Sequence, residues 1–432
     1  MPTRPKRAHP VERTVLDNGL KVLVVPDPTV PLVGVAVVYN VGFRSEPEGR
    51  TGFAHLFEHM MFQGSAHVAK MEHGRLIESA GGRMNGHTLA DLTAYYEALP
   101  ASALELALFL EADRMGSLSV SEENLRNQVD VVKEEIKVNV LNQPYGGFPW
   151  IPLPALAFAS YPNAHNGYGD FSHLEEATVQ DSEDFYATYY CPANAVLAVV
   201  GACTAAEVFK LAERYFGSLK RRRVPKHGPW PEPRLEADRH RAISDPRAPQ
   251  PAFAIGYRTT DPVGDLDRFV AYDLLASLLA GGDSSRLRAR LIYRDHNVTD
   301  VSCQLGTFGQ DAFFVRDPTL LQVIAFHPGT ATTEALIEDI DEEIDRLASD
   351  GPDRRELARV VAGSAADLWR SLDSLLDRVH IVASVETIHG RAELVEELAS
   401  RLAAVSAPDV AAAAADLLGQ HRAILELQPA AN

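Results

Sequence analysis

His55-Leu56-Phe57-Glu58-His59 sets two imidazoles four residues apart, with a carboxylate directly before the second. On an α-helix, positions four apart differ by about 40° in direction, so both rings leave the same face. Glu58 projects along the edge of that face and can reach a water on a metal without binding the metal itself. Zinc held by two His and one carboxylate, with a fourth position open, lowers the pKa of its water to roughly 7. A neighbouring Glu then takes the proton as that water attacks a carbonyl. The order reverses the commoner H-E-x-x-H, and both orders belong to zinc hydrolysis sites.

The competing reading is a pair of histidines on an amphipathic helix, one of them packed in the core. The flanks speak against it. Phe53, Ala54, Leu56, Phe57, Met60, Met61 and Phe62 make the helix apolar almost all round, hence buried. Polar groups inside such a helix need partners, and one metal supplies them at once. A third ligand is then expected on another element. Gln128–Ile136 has helical periodicity that sets Val131, Val132, Glu135 and Ile136 on one side, which turns Glu135 inward and leaves Glu134 to solvent.

His55 to His59, followed by Glu135 76 positions after His59, resembles the pitrilysin-type zinc metallopeptidases (inverzincins). That family includes insulin-degrading enzyme and mitochondrial processing peptidase. Further stretches carry the likeness over residues 12–425. Asp17-Asn18-Gly19-Leu20-Lys21-Val22 is similar to the family's first hairpin. Gly81–Thr88, with Asp91, Thr93 and Tyr95-Tyr96, is similar to the edge strand that pairs with substrate. Tyr189–Leu197 is similar to the element closing the first domain.

The resemblance implies one zinc ion on His55, His59 and Glu135, Glu58 as general base, and an extended peptide paired beside Asn85 and Gly86. Without it, Asn85-Gly86 reads equally well as a turn. In the family, four such domains enclose a chamber, so a two-domain chain supplies half of a clam-shell and must pair. Two departures stand out. Family members often carry a Glu where Gln128 stands; Gln still hydrogen-bonds, so a supporting charge is lost but not the site. The family's second half also supplies an Arg, with a Tyr seven positions on, to hold substrate and the developing oxyanion. Alignment on Ser284-Ser285-Arg286-Leu287 puts Ile292 and Thr299 there, while Arg286 and Tyr293 have the right separation in the wrong register. A sister subunit supplying the Arg/Tyr pair is the expected partner.

The chain has 432 residues, more than one core usually serves, so two domains of roughly 200 residues are expected. A stretch at 221–250, with Arg221-Arg222-Arg223 and then Pro225, Pro229, Pro231, Pro233, Pro246 and Pro249, reads as a stiff linker between domains at 12–220 and 251–428. The halves repeat one pattern. Val33–Val41 reads as a strand leading to the metal helix, and Ala252–Tyr257 as a strand leading to a helix at Asp267–Leu279. Tyr272, Leu275 and Ala276 fall where His55, Glu58 and His59 stand. Both halves close helix-then-strand, at Asp181–Val200 and Asp409–Leu427. The expected fold is α+β: two homologous domains, each a mostly antiparallel sheet packed by helices, the second without metal.

A formal net charge of −18 argues against nucleic acid as a partner. Met1–Arg13 is basic with no apolar signal core behind it, and the most apolar run, Val30–Phe43, contains Asn40 and is too short to span a bilayer. Cys191, Cys203 and Cys303 are an odd set, which suggests reduced thiols packed in cores and a cytoplasmic setting. The leading expectation is a zinc metalloendopeptidase, the metal-bearing subunit of a heterodimer. The alternatives are a self-sufficient homodimer, a non-catalytic assembly subunit, and another zinc hydrolase such as an amidase. The full His55, Glu58, His59, Glu135 set counts against the assembly subunit, and the strand-pairing segment against the amidase.

Overall fold

The two most continuous apolar runs of the first half become neighbouring central strands. In the computed structural model, which describes residues 10–306 and 312–430, β3 (Leu32–Tyr39) and β6 (Ala195–Gly201) lie side by side, buried along nearly their whole lengths. Strands covered on both faces need no polar alternation, so they read as unbroken apolar sequence. Around them β1 (Glu12–Val15), β2 (Lys21–Pro26), β4 (Arg83–Thr88) and β5 (Thr93–Pro100) complete a six-stranded sheet in the order β1-β2-β6-β3-β5-β4. All pairs are antiparallel except β2 with β6. The expected first hairpin is β1–β2. Its turn needs Gly19, which has φ +94° and where a Cβ would meet Ala193 Cβ at 3.0 Å.

The second sheet repeats this plan one strand short. β7 (Arg239–Asp245), β8 (Ala252–Arg258), β9 (Asp300–Leu305), β10 (Leu320–Phe326) and β11 (Ala423–Pro429) run in the order β7-β11-β8-β10-β9. Again one pair is parallel, β7 with β11, in the place of β2 with β6. The helix expected after β8 spans Leu266–Ala280, and the closing helix Ala407–Leu418 precedes β11. The duplication read from sequence is therefore a duplication of sheet topology.

One part of the linker expectation needs correction. Arg239–Asp245, inside 221–250, is not linker but edge strand β7. It is polar because one side of an edge strand faces water, and that polarity hid it among the prolines.

The chain packs as two units that are not serial. The first comprises 1–132, 169–227 and 369–398; the second comprises 133–168, 228–368 and 399–432. Each unit draws one segment from the other half of the sequence. In the first, the helix Leu375–His389 lies on β3, β5 and β6, and Gly34 permits it: a Cβ there would stand 2.9 Å from Val379 Cβ. Overpacking of that kind costs roughly 1–3 kcal/mol. In the second, the short helix Pro152–Ala157 packs on β7, β8 and β11, where Leu153, Phe158, Ala254 and Leu425 share a core.

Candidate metal centre

Strand alternation puts Tyr39 on the face of β3 opposite Gly34. There Tyr39 meets Tyr95 and Tyr190, and Tyr190 meets Phe57 with ring centroids 5.5 Å apart. Phe57 belongs to the helix Phe53–Met60, which buries Phe53, Ala54, Leu56, Phe57 and Met60 as its flanks require. The Tyr95 hydroxyl donates to the Phe57 carbonyl at 3.3 Å, fixing the helix to β5. His55, Glu58 and His59 are half-buried, and the two imidazoles stand 5.0 Å apart at 81°.

Glu135 lies in the last turn of the helix Glu122–Ile136. His55, His59 and Glu135 each offer one ligand atom, and these atoms lie within 4.8 Å of one another. Ligand atoms around a tetrahedral zinc sit about 3.3 Å apart, so small rotations of three half-buried side chains close the shell. Two imidazoles and one carboxylate suit zinc and leave its fourth position open.

Glu58 is electrostatically close to Tyr95 and Tyr190. Burial holds both hydroxyls well above the ordinary phenol range, and the Glu58 charge adds to that. Near Glu135, the Tyr168 hydroxyl is likewise raised, first by burial and then by the Glu135 charge. Nothing in the sequence marked Tyr168, which lies 33 positions from Glu135.

The inward turn of Glu135 holds, with one of its supports replaced. Leu125, Gln128, Val129, Val132 and Ile136 form the buried face, whereas Val131 is 41% exposed. Val131 falls outside that face, while Val132, about 100° further round the helix, is fully buried. Glu134 is exposed and pairs with Lys137. Glu135→Gln is therefore expected to lower metal content, measured on protein purified in limiting zinc, and Glu134→Gln to leave it unchanged. The opposite pattern would place the ligand one residue earlier. Gln128 is buried and donates to Asn127 Oδ1 at 2.9 Å.

Asn85 and Gly86 form strand rather than turn. They sit in β4, at the end of the sheet order, with β5 as its neighbour. The Gly86 N–H donates to Asn85 Oδ1 at 2.9 Å, and a Cβ at Gly86 would meet the Tyr95 ring at 3.2 Å. In the second half, Arg286 is forked onto Glu356 by two bonds of 2.9 Å. Tyr293 is half exposed, and Thr299 Oγ1 donates to the Phe326 carbonyl. Tyr272, in the place of a metal ligand, is buried and donates to Asp416 at 2.7 Å.

His73, Glu97 and Glu111 also converge, fully buried. Arg114 already forks onto Glu111, while burial raises the Glu97 carboxyl to about 8 and lowers the His73 imidazole to about 3. With Arg114 forked onto Glu111 and the Arg114 guanidinium over the Tyr95 ring, the group is built into the core packing.

Comparison with known proteins identifies the family. Residues 21–145 match the family model described as insulinase (peptidase family M16), and residues 176–364 match the peptidase M16 inactive domain. The chain belongs to the pitrilysin-type M16 family. The zinc protease PqqE of Helicobacter pylori is 28% identical over 370 residues, which cover 85% of this chain and 81% of that one. The uncharacterized zinc protease YmxG of Bacillus subtilis is 25% identical over 98% of this chain and 99% of that one. A solved protease from Helicobacter pylori superposes with a TM-score of 0.87 at 25% identity, over 97% of this chain and all of that one. The Escherichia coli periplasmic protease PqqL shares the fold, with a TM-score of 0.76 at 18% identity; the match covers 99% of this chain and 48% of that one.

Proposed function

We propose that the chain is a zinc-dependent endopeptidase for extended or unfolded peptides and the metal-bearing subunit of a heterodimer. The observation that carries the reading is the convergence of His55, His59 and Glu135 within 4.8 Å, with Glu58 beside His59 on the same short helix. His55, His59 and Glu135 would hold the zinc, which when bound would supply an activated water and a Lewis acid for the scissile carbonyl. Glu58 would serve as the general base that takes a proton from the attacking water and passes it to the leaving amine.

Substrate is held by strand addition along β4. Backbone hydrogen bonds give affinity in that mode, and they need a chain already extended. The Gly86 N–H, held by Asn85 Oδ1, is the donor an incoming carbonyl would take over. Gly86 also lets a second backbone approach where a side chain would intrude. Short unstructured peptides are therefore expected to be cleaved well and folded domains poorly. A stable domain and its unfolded variant, compared in one assay, test this; equal cleavage of the two would rule out strand addition.

A pairing partner is supported by chemistry: Ile292 offers no donor for a developing oxyanion, and the Thr299 hydroxyl is committed to the Phe326 carbonyl. No helix among the described residues is long and apolar enough to cross a membrane. The cytoplasm is the compartment we propose, on the three free thiols: Cys191 and Cys203 are buried and Cys303 partly so.

A further inference from the structure

The metal helix begins without a cap of its own. Its N-cap is Gly52, at φ +87°, and no side chain at that position accepts a bond. The first N–H groups of a helix have no partner within it and must be met from elsewhere. Glu46 meets two of them. Its Oε2 accepts from Gly52 at 2.9 Å and its Oε1 from Ala54 at 2.8 Å, and the residue is only 3% exposed. A buried carboxylate at the positive end of a helix makes short, charge-assisted bonds. Ala54 directly precedes His55, so this carboxylate fixes the turn from which the first imidazole departs.

The same turn grips the substrate hairpin. Phe43 and Arg44 donate their backbone N–H groups to the Leu89 and Ala90 carbonyls at 3.1 and 3.0 Å. Arg44 also pairs with the fully buried Asp91 at 2.6 Å. Leu89, Ala90 and Asp91 form the connection between β4 and β5. A Cβ on Gly42 would fall 2.2 Å from the Leu89 carbonyl oxygen, so the turn fits there only with glycine.

We propose, on the reading that His55 and His59 bind zinc, that Glu46 is a positioning residue for the metal site. It sets the direction of the histidine pair, and its turn holds that pair and the edge strand on one frame. A carboxylate that merely stabilised the helix would lack the first of these effects.

The test compares Glu46→Ala, Glu46→Gln and, as a control, Thr332→Ala. Thr332 caps the helix Thr333–Asp350, remote in sequence from the metal ligands, by accepting from the Ala335 N–H. Zinc affinity is measured by competition with a chelator of known strength, and ligand geometry by the visible absorption of the Co2+-substituted chain. Glu46→Ala is expected to weaken zinc about 10–100-fold, the usual effect of removing a group that orients metal ligands, and to alter the Co2+ bands. Glu46→Gln keeps one carbonyl acceptor and should recover part of both, while Thr332→Ala should lower thermal stability with zinc affinity and Co2+ bands unchanged. Wild-type affinity and Co2+ bands in Glu46→Ala, or in Glu46→Gln if the alanine variant does not fold, overturn the proposal. Failure of the wild-type chain to bind either ion overturns the zinc reading itself.

Discussion

Glu58→Gln is expected to keep its metal and lose at least about 10²-fold in peptide cleavage, the lower end for removal of a general base. The two halves of that expectation come from different parts of the geometry. Metal retention follows because the three converging ligand atoms belong to His55, His59 and Glu135, and Glu58 contributes none of them. The loss follows because Gln is nearly isosteric with Glu but cannot accept a proton. Packing is preserved as well, since Glu58 is half-buried beside Tyr95 and Tyr190, whose hydroxyls burial keeps protonated. Metal content and turnover of a quenched peptide, measured on the same preparation, decide it. Cleavage near the wild-type rate would remove Glu58 from the mechanism, and loss of zinc would make it a ligand.

The second large effect concerns what the chain does not carry. Alone it is expected to be a weak peptidase, gaining about 10²–10³-fold when a homologous sister chain supplies donors for the developing oxyanion. Ile292 has no donor. The Thr299 hydroxyl is short and already committed to the Phe326 carbonyl. Arg286, which has the right separation from Tyr293, is locked onto Glu356 by two bonds. The competing arrangement is a homodimer in which Arg286 or Tyr293 takes over the role. Assays of the purified chain with and without a sister chain separate the two. If the lone chain cleaves as fast as the mixture, and Arg286→Ala or Tyr293→Phe abolishes that activity, the homodimer is correct.

Sequence by itself determined the features that depend on short separations. The face shared by His55 and His59 is a property of helical pitch, so spacing alone conveyed it. The strand-then-helix opening and the helix-then-strand closure of each half are likewise local, and they made the duplication visible before any sheet was seen. Glu135 was placed through family resemblance, because no local rule connects it to a helix 76 positions earlier.

Tertiary structure decided what depends on partners distant in the chain. Val131 and Val132 are equally apolar, and only the packed neighbours determine which is buried. β7 is polar and proline-flanked, and becomes a strand because β11 offers it an edge. The helix Leu375–His389 and the segment 133–168 lie with the opposite half's sheet, an exchange invisible to periodicity because an apolar face does not specify what covers it. Glu46 is the sharpest case. In sequence it is one acidic residue in a polar turn; folding buries it against two N–H groups at the start of the metal helix, where its charge has a use.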